Sequence, residues 1–145
     1  MFKKIYKEFK VLTTYPKNLI LLIARFVVAY GFATPALIKI NDFAGATKWF
    51  ASLGIPFPDE LAHLVGGIES LGVILLILGL LTRFISLLMS CVMIGAIGFV
   101  HISHGFSYSK MGVEVPLLYL MLLLIFTTYG AGKYSLDNLF FEGKK

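Results

Sequence analysis

LAHLVGGIESLGVILLILGLLTRFISLLMSCVMIGAIGFVHIS, residues 61–103, decides the fold. A membrane-crossing helix needs about 20 mostly apolar residues. This stretch holds two such runs, near 61–80 and 84–103. Only Gly79 to Arg83 lies between them, which leaves room for nothing but a tight antiparallel hairpin. Working outward, a further run lies near 18–40, opening after Tyr15-Pro16, and another near 114–131. The expected fold class is an all-α membrane protein, a bundle of four transmembrane helices over 18–131. A basic segment, 1–17, precedes it and a tail, 132–145, follows it.

The 145 residues are a single domain's worth, 58% hydrophobic and 14% charged, with a mean hydropathy of +0.85. Soluble domains carry about 25% charge, and a core of this length could not hide so much apolar surface. The net charge is +5, with Lys3, Lys4, Lys7, Lys10 and Lys17 in the first 17 residues. No nucleic-acid motif accompanies that charge. Beside a membrane span it reads as a topogenic signal and a patch for anionic lipid. The apolar stretch from Leu19 to about Ile40 is too long for the core of a signal peptide, and no convincing A-x-A site follows, so an uncleaved first span is expected. The single cysteine, Cys91, excludes an intramolecular disulfide and a CxxC pair. It is expected as a small residue at a helix contact.

Orientation follows from the cations. With the N-terminal side in the cytoplasm, the inner segments hold Lys3, Lys4, Lys7, Lys10, Lys17, Arg83, Lys133, Lys144 and Lys145. The outer segments then hold only Lys48 and Lys110, with Lys39 at the edge. Positive-inside bias therefore places both ends in the cytoplasm. Tyr15, Trp49, Tyr108, Tyr129 and Tyr134 fall near the expected interfaces. In the outer loop 41–60, Asp42 can cap a short helix, Gly54 can end it, and Pro56 and Pro58 prevent its restart. Phe43, Phe50 and Leu53 share a face, with Trp49 beside them, so this helix is expected on the outer membrane surface or as a lid on the bundle.

Ionisable side chains inside spans cost about 2.5–3.5 kcal/mol at the centre, so they face inward, pair or snorkel. Arg25, Ala29, Ala33, Ala36 and Lys39 form one stripe on the first span, which lets another helix approach closely. Pro35 on the same span frees the Gly31 carbonyl, and a kink is expected. Arg25 has two readings, an inward ion pair or snorkelling to the cytoplasmic headgroups. Glu69, among Gly66, Gly67 and Gly72, is either half of a structural pair with Arg25 or Lys39 or part of a functional site. His101 and His104 close the third span, with Gly95, Gly98 and His101 on one stripe; hydrogen bonds within the bundle are expected of them rather than metal or haem ligation. Glu114, two residues before Pro116, suits a helix N-terminus on charge alone. Together Lys39, Glu69, His101, His104 and Glu114 point to a polar cavity in the outer half of the bundle. The chain has no Walker loop, GxGxxG after a strand, HExxH or nucleophile elbow. It also has no soluble domain able to hold a nucleotide or flavin.

Over about residues 19–140 the chain resembles the DoxX family of small four-helix membrane proteins. The resemblance is carried by Arg25 and Lys39, by Ser52-Leu53-Gly54-Ile55-Pro56 and by Gly66-Gly67-Ile68-Glu69-Ser70-Leu71-Gly72. It continues through Leu78-Gly79-Leu80-Leu81-Thr82-Arg83, Glu114 and Gly130-Ala131-Gly132-Lys133-Tyr134-Ser135-Leu136-Asp137. The family's namesake is a subunit of an archaeal thiosulfate:quinone oxidoreductase, which works with a partner subunit. The resemblance implies a multi-pass protein of a bacterial or archaeal cytoplasmic membrane, linked to redox chemistry. It implies a membrane quinone as substrate rather than a tightly bound cofactor, and a redox partner subunit or a second copy of the chain. On that reading Glu69 and His101 or His104 relay protons, while Arg25, Lys39 and Glu114 bind the ring or stabilise charge on it. The alternatives are a non-enzymatic anchor or assembly module, and a small-solute transporter.

Overall fold

The computed structural model describes residues 2–14 and 16–142; Tyr15, Lys144 and Lys145, all named above, lie outside them. Among the described residues the chain is helical wherever it is regular. The helices are α1 (Phe2–Thr14), α2 (Lys17–Asn41), α3 (Phe43–Ser52), α4 (Pro58–Leu78), α5 (Thr82–Ala96) and α6 (Glu114–Tyr129). Beyond α5 the backbone continues through a wide π turn, Ile97–His101, and a tight 3-10 turn, Ile102–His104. Among the described residues three helical segments are long and apolar enough to cross a membrane: Lys17–Asn41, Pro58–Leu78 and Thr82–His104. Glu114–Tyr129 is apolar but shorter.

The hairpin read from residues 61–103 is present. Gly79 ends α4 in the left-handed conformation (φ 64°), and α5 begins three residues later. Leu81 is also left-handed (φ 49°), where its Cβ is strained. Asp137 holds that strained corner: its carboxylate accepts from Leu81 N at 2.6 Å and Thr82 N at 2.9 Å. The chain after α6 thus returns to cap the start of α5.

Four features gather one end of the bundle. Asp137 N donates to Gly79 O, Lys133 N to Asn18 Oδ1, and Lys17 lies 5.1 Å from the Tyr129 ring centroid. Arg83 packs where a side chain on Gly130 would begin. Lys17, Arg83 and Lys133 therefore share this basic end. Asp42, Asp59, Glu60, Lys48, Lys110 and Glu114 belong to the helix ends and loops of the other.

Lipid tails are as apolar as leucine, so helices in a bilayer are held by close packing and polar bonds. The α2 stripe serves that purpose. Arg25, Ala29, Ala36 and Lys39 are buried, and α2 lies along α4. Val28, Phe32, Leu76, Ile85, Met89, Leu123 and Phe126 fill the centre. Gly72 gives way to the Met89 side chain and Gly66 to Lys39 and Phe43, whereas nothing lies within 4 Å of a Cβ placed on Gly67 or Gly95. Helix α2 runs unbroken through Pro35.

The capped loop helix is also present. Asp42 Oδ1 accepts from Gly45 N at 2.8 Å, and α3 ends at Ser52 with Gly54 left-handed just beyond. Pro58, expected as a breaker, is the first residue of α4, where a missing N–H costs nothing. Helix α3 packs against α4 through Ala46, Phe50 and Ala62. Phe2–Thr14, expected only as a basic segment, is a helix.

Candidate functional site

Lys39 and Glu69 meet. Lys39 Nζ donates to Glu69 Oε2 at 2.8 Å and to Pro35 O at 3.4 Å, with the two side chains 10% and 7% exposed. The pairing follows from the α2 stripe and from Gly66, which lets the Lys39 stem lie against α4. An ammonium carries three protons and a carboxylate two oxygens. Two Nζ protons are used by these bonds, and among the described residues no other bond takes the third or the second carboxylate oxygen.

Two cavities share this pair. The larger, about 420 Å³, is bounded by α3, α4 and α5. Its walls are almost wholly apolar, among them Phe50, Ile55, Val65, Ile68, Leu88 and Val92. Leu64, Cys91 and Phe99 both line it and are exposed on the flank of the bundle, so it opens between α4 and α5. Cys91 is therefore a cavity residue, not the helix-contact residue expected from sequence. The second cavity, about 350 Å³, is bounded by Phe32, Pro35, Met93, His101, Tyr108, Pro116 and Tyr119. Lys39, Trp49, Glu69, Ala96 and Val100 border both. The ion pair stands in the wall between them. Both volumes fall within the roughly 300–1,000 Å³ of small-molecule sites.

The π turn after α5 swings His101 toward the second cavity, and such wide turns recur at functional sites. His101 Nδ1 is bonded to Met111 O at 2.7 Å, which holds Met111 left-handed (φ 59°) and closes the loop over this end. Tyr119 stacks edge-on with Phe32, centroids 5.8 Å apart, and its hydroxyl occupies the space that Gly31 leaves.

The other candidates go elsewhere. His104 Nδ1 is bonded to Val100 O at 2.9 Å, and His104 lines neither cavity. Glu114 accepts from Tyr108 N at 2.9 Å and so orders the loop before α6; it borders neither cavity. Arg25 points inward but not to Glu69. It is 1% exposed and lies at the basic end, donating to Leu76 O at 3.3 Å and to Tyr134 O, with the Asp137 charge nearby. Arg25 Nε, Thr82 Oγ1 and Ser86 Oγ are buried without a hydrogen-bond partner among the described residues. No three His, Cys, Asp or Glu of those residues come together as a metal site.

Sequence reasoning missed Trp49, Tyr119 and Cys91 as site residues. Trp49 is expected from sequence only as an interfacial aromatic, beside the face that Phe43, Phe50 and Leu53 share. Tyr119 carries a readable signal: it is the only hydroxyl within the apolar run 115–126.

An all-helical, strongly apolar chain with a charged pair buried between helices is a multi-pass membrane protein by class. It belongs to the DoxX family, whose model matches residues 20–102. A Haemophilus influenzae protein described only as uncharacterized is 38% identical over 127 residues, 82% of each chain. A Bacillus subtilis protein bearing the name "Putative oxidoreductase CatD" is 30% identical over 125 residues, 86% of this chain and 89% of its own. No solved structure matches.

Proposed function

We propose that this protein is a redox subunit of a bacterial cytoplasmic membrane that binds a quinone ring in the larger of its two cavities. The supporting observation is the Lys39–Glu69 pair, a buried acid and base in the wall of an apolar cavity that opens on the bundle's flank. A lipid-soluble ring enters between α4 and α5 and sets a carbonyl oxygen against the free Lys39 proton. Reduction to the quinol takes two electrons and two protons. A partner oxidoreductase supplies the electrons. Glu69 passes one proton to the ring oxygen beside it and is resupplied by His101 in the second cavity, and the opposite ring oxygen takes the second proton from water on the outer side. Lys39 balances the negative charge that grows on that oxygen. The name of the Bacillus subtilis relative supports a redox role.

The topology that goes with this reading has four spans and a cytoplasmic basic end. Helix α6 is about 24 Å long at 1.5 Å per residue, yet it runs from the loop at Tyr108 to Lys17 and Arg83. Contacts at both of its ends support reading it as a fourth span. Lys17, Arg83 and Lys133 at one end match the cytoplasmic side.

Titrating the purified protein in nanodiscs with a short-chain benzoquinone, followed by ligand-observed NMR, tests the site. Saturable binding is expected, weakened at least about tenfold in Lys39→Met/Glu69→Leu, which removes the charge-assisted hydrogen bond from Lys39 to the ring carbonyl. Binding that never saturates, or that the double substitution leaves unchanged, overturns the reading.

A further inference from the structure

Helix α1 takes no part in that site, and its composition does not suit water. Ile5, Tyr6, Phe9 and Leu12 fall on one arc of the helix at steps of one, three and four; Lys3, Lys7, Lys10 and Thr14 fall on the opposite arc. Ile5 is 57% and Leu12 67% exposed, and α1 contributes to neither packed apolar cluster. A 13-residue helix standing alone is marginal in water. This one also puts Lys3 in its first turn with no acid there, against the positive end of its own dipole. Both handicaps vanish on a surface that is apolar below and anionic above.

Position supplies such a surface. Helix α2 begins at Lys17, three residues after α1 ends, and the first membrane-crossing helix starts there. So short a link keeps α1 at bilayer level, beside the basic end that Lys17, Arg83 and Lys133 form. We infer that α1 lies flat in the headgroup layer of that leaflet and is a binding surface for anionic phospholipid. Its apolar arc sinks into the acyl boundary and its lysines contact headgroup phosphates. The helix forms on the lipid: phosphates at its start satisfy free N–H groups and reverse the unfavourable charge.

Hydrogen exchange read by mass spectrometry on the full chain tests this in nanodiscs of phosphatidylcholine alone or with 30% phosphatidylglycerol. Amides of α1 are expected to exchange at least about tenfold more slowly with the anionic lipid, while those of α2 and α4 do not change. A surface lysine is worth about five-fold in such an equilibrium, so Lys3→Gln with Lys7→Gln should restore fast exchange in the anionic discs. Equal protection in both lipids would mean the bundle or the apolar arc alone holds α1, and would overturn the inference. So would fast exchange in both, or protection that survives the double substitution.

Discussion

Lys39 and Glu69 are each tolerable only because of the other. Removing one partner of a buried pair leaves an uncompensated charge, at a cost of about 3–5 kcal/mol. Replacing both with apolar residues of similar volume is often close to neutral. Thermal unfolding in detergent should therefore show a marked fall for Lys39→Met and near-parental stability for Lys39→Met/Glu69→Leu, with quinone binding lost in both. If the single and double variants melt alike, the pair is not coupled as its 2.8 Å geometry requires. The sequence showed that Glu69 must face inward, because lipid does not tolerate it, and left Arg25 and Lys39 as rival partners. Both cations sit on one stripe of α2, so periodicity could not separate them. Depth along α4 decides: Glu69 is level with Lys39, while Arg25 is level with Leu76, two turns nearer the hairpin.

Among the elements, the hairpin was the most legible and its fastening the least. Run length and the five residues from Gly79 to Arg83 dictate two antiparallel helices whatever the rest of the chain does. Nothing local announces that Leu81 adopts a left-handed backbone or that Asp137, 56 residues away, caps the next helix. Such contacts are set by how the chain returns after α6, which hydropathy does not encode. Asp137→Ala should cost about 0.5–2 kcal/mol, as loss of a helix cap does. Hydrogen exchange at Leu81 and Thr82 should quicken while ligand binding at the far cavity persists. A fall in binding equal to the fall in stability would show that the corner and the cavity are one cooperative unit. Helix α1 is hard to read for a different reason: its lysines dominate the composition of residues 1–17, and the helical spacing of Ile5, Phe9 and Leu12 against Lys3, Lys7 and Lys10 is visible only over three turns.

At the scale of the whole molecule, α4 and α5 are tight at the hairpin and part toward the other end, which is where the larger cavity opens. Gly72 and Gly95 mark the two regimes. A side chain at Gly72 meets Met89; one at Gly95 meets nothing within 4 Å. Gly95→Leu should leave the melting temperature unchanged or raise it, since glycine costs a helix interior about 0.5–1 kcal/mol relative to alanine. It should also fill the cavity and abolish quinone binding. Gly72→Leu should lower the melting temperature by overpacking. If Gly95→Leu binds quinone normally, the ring lies elsewhere. Composition foretold a membrane bundle, but the glycines looked equivalent in sequence because a missing side chain does not say whether a neighbour or empty space takes its place.

The bond from Arg25 to the Tyr134 carbonyl spans 109 positions of the chain. A ribosome delivers Arg25 to the membrane long before Tyr134 exists. Throughout that interval the first span carries a guanidinium whose final partner has not been made, and whose other partner, Leu76, arrives about midway. The first helix therefore enters the bilayer in a provisional state, and synthesis must run to residue 134 before its charge is fully housed. A chain that stops short of that point leaves the Arg25 guanidinium without one of the two carbonyl acceptors it has in the finished bundle.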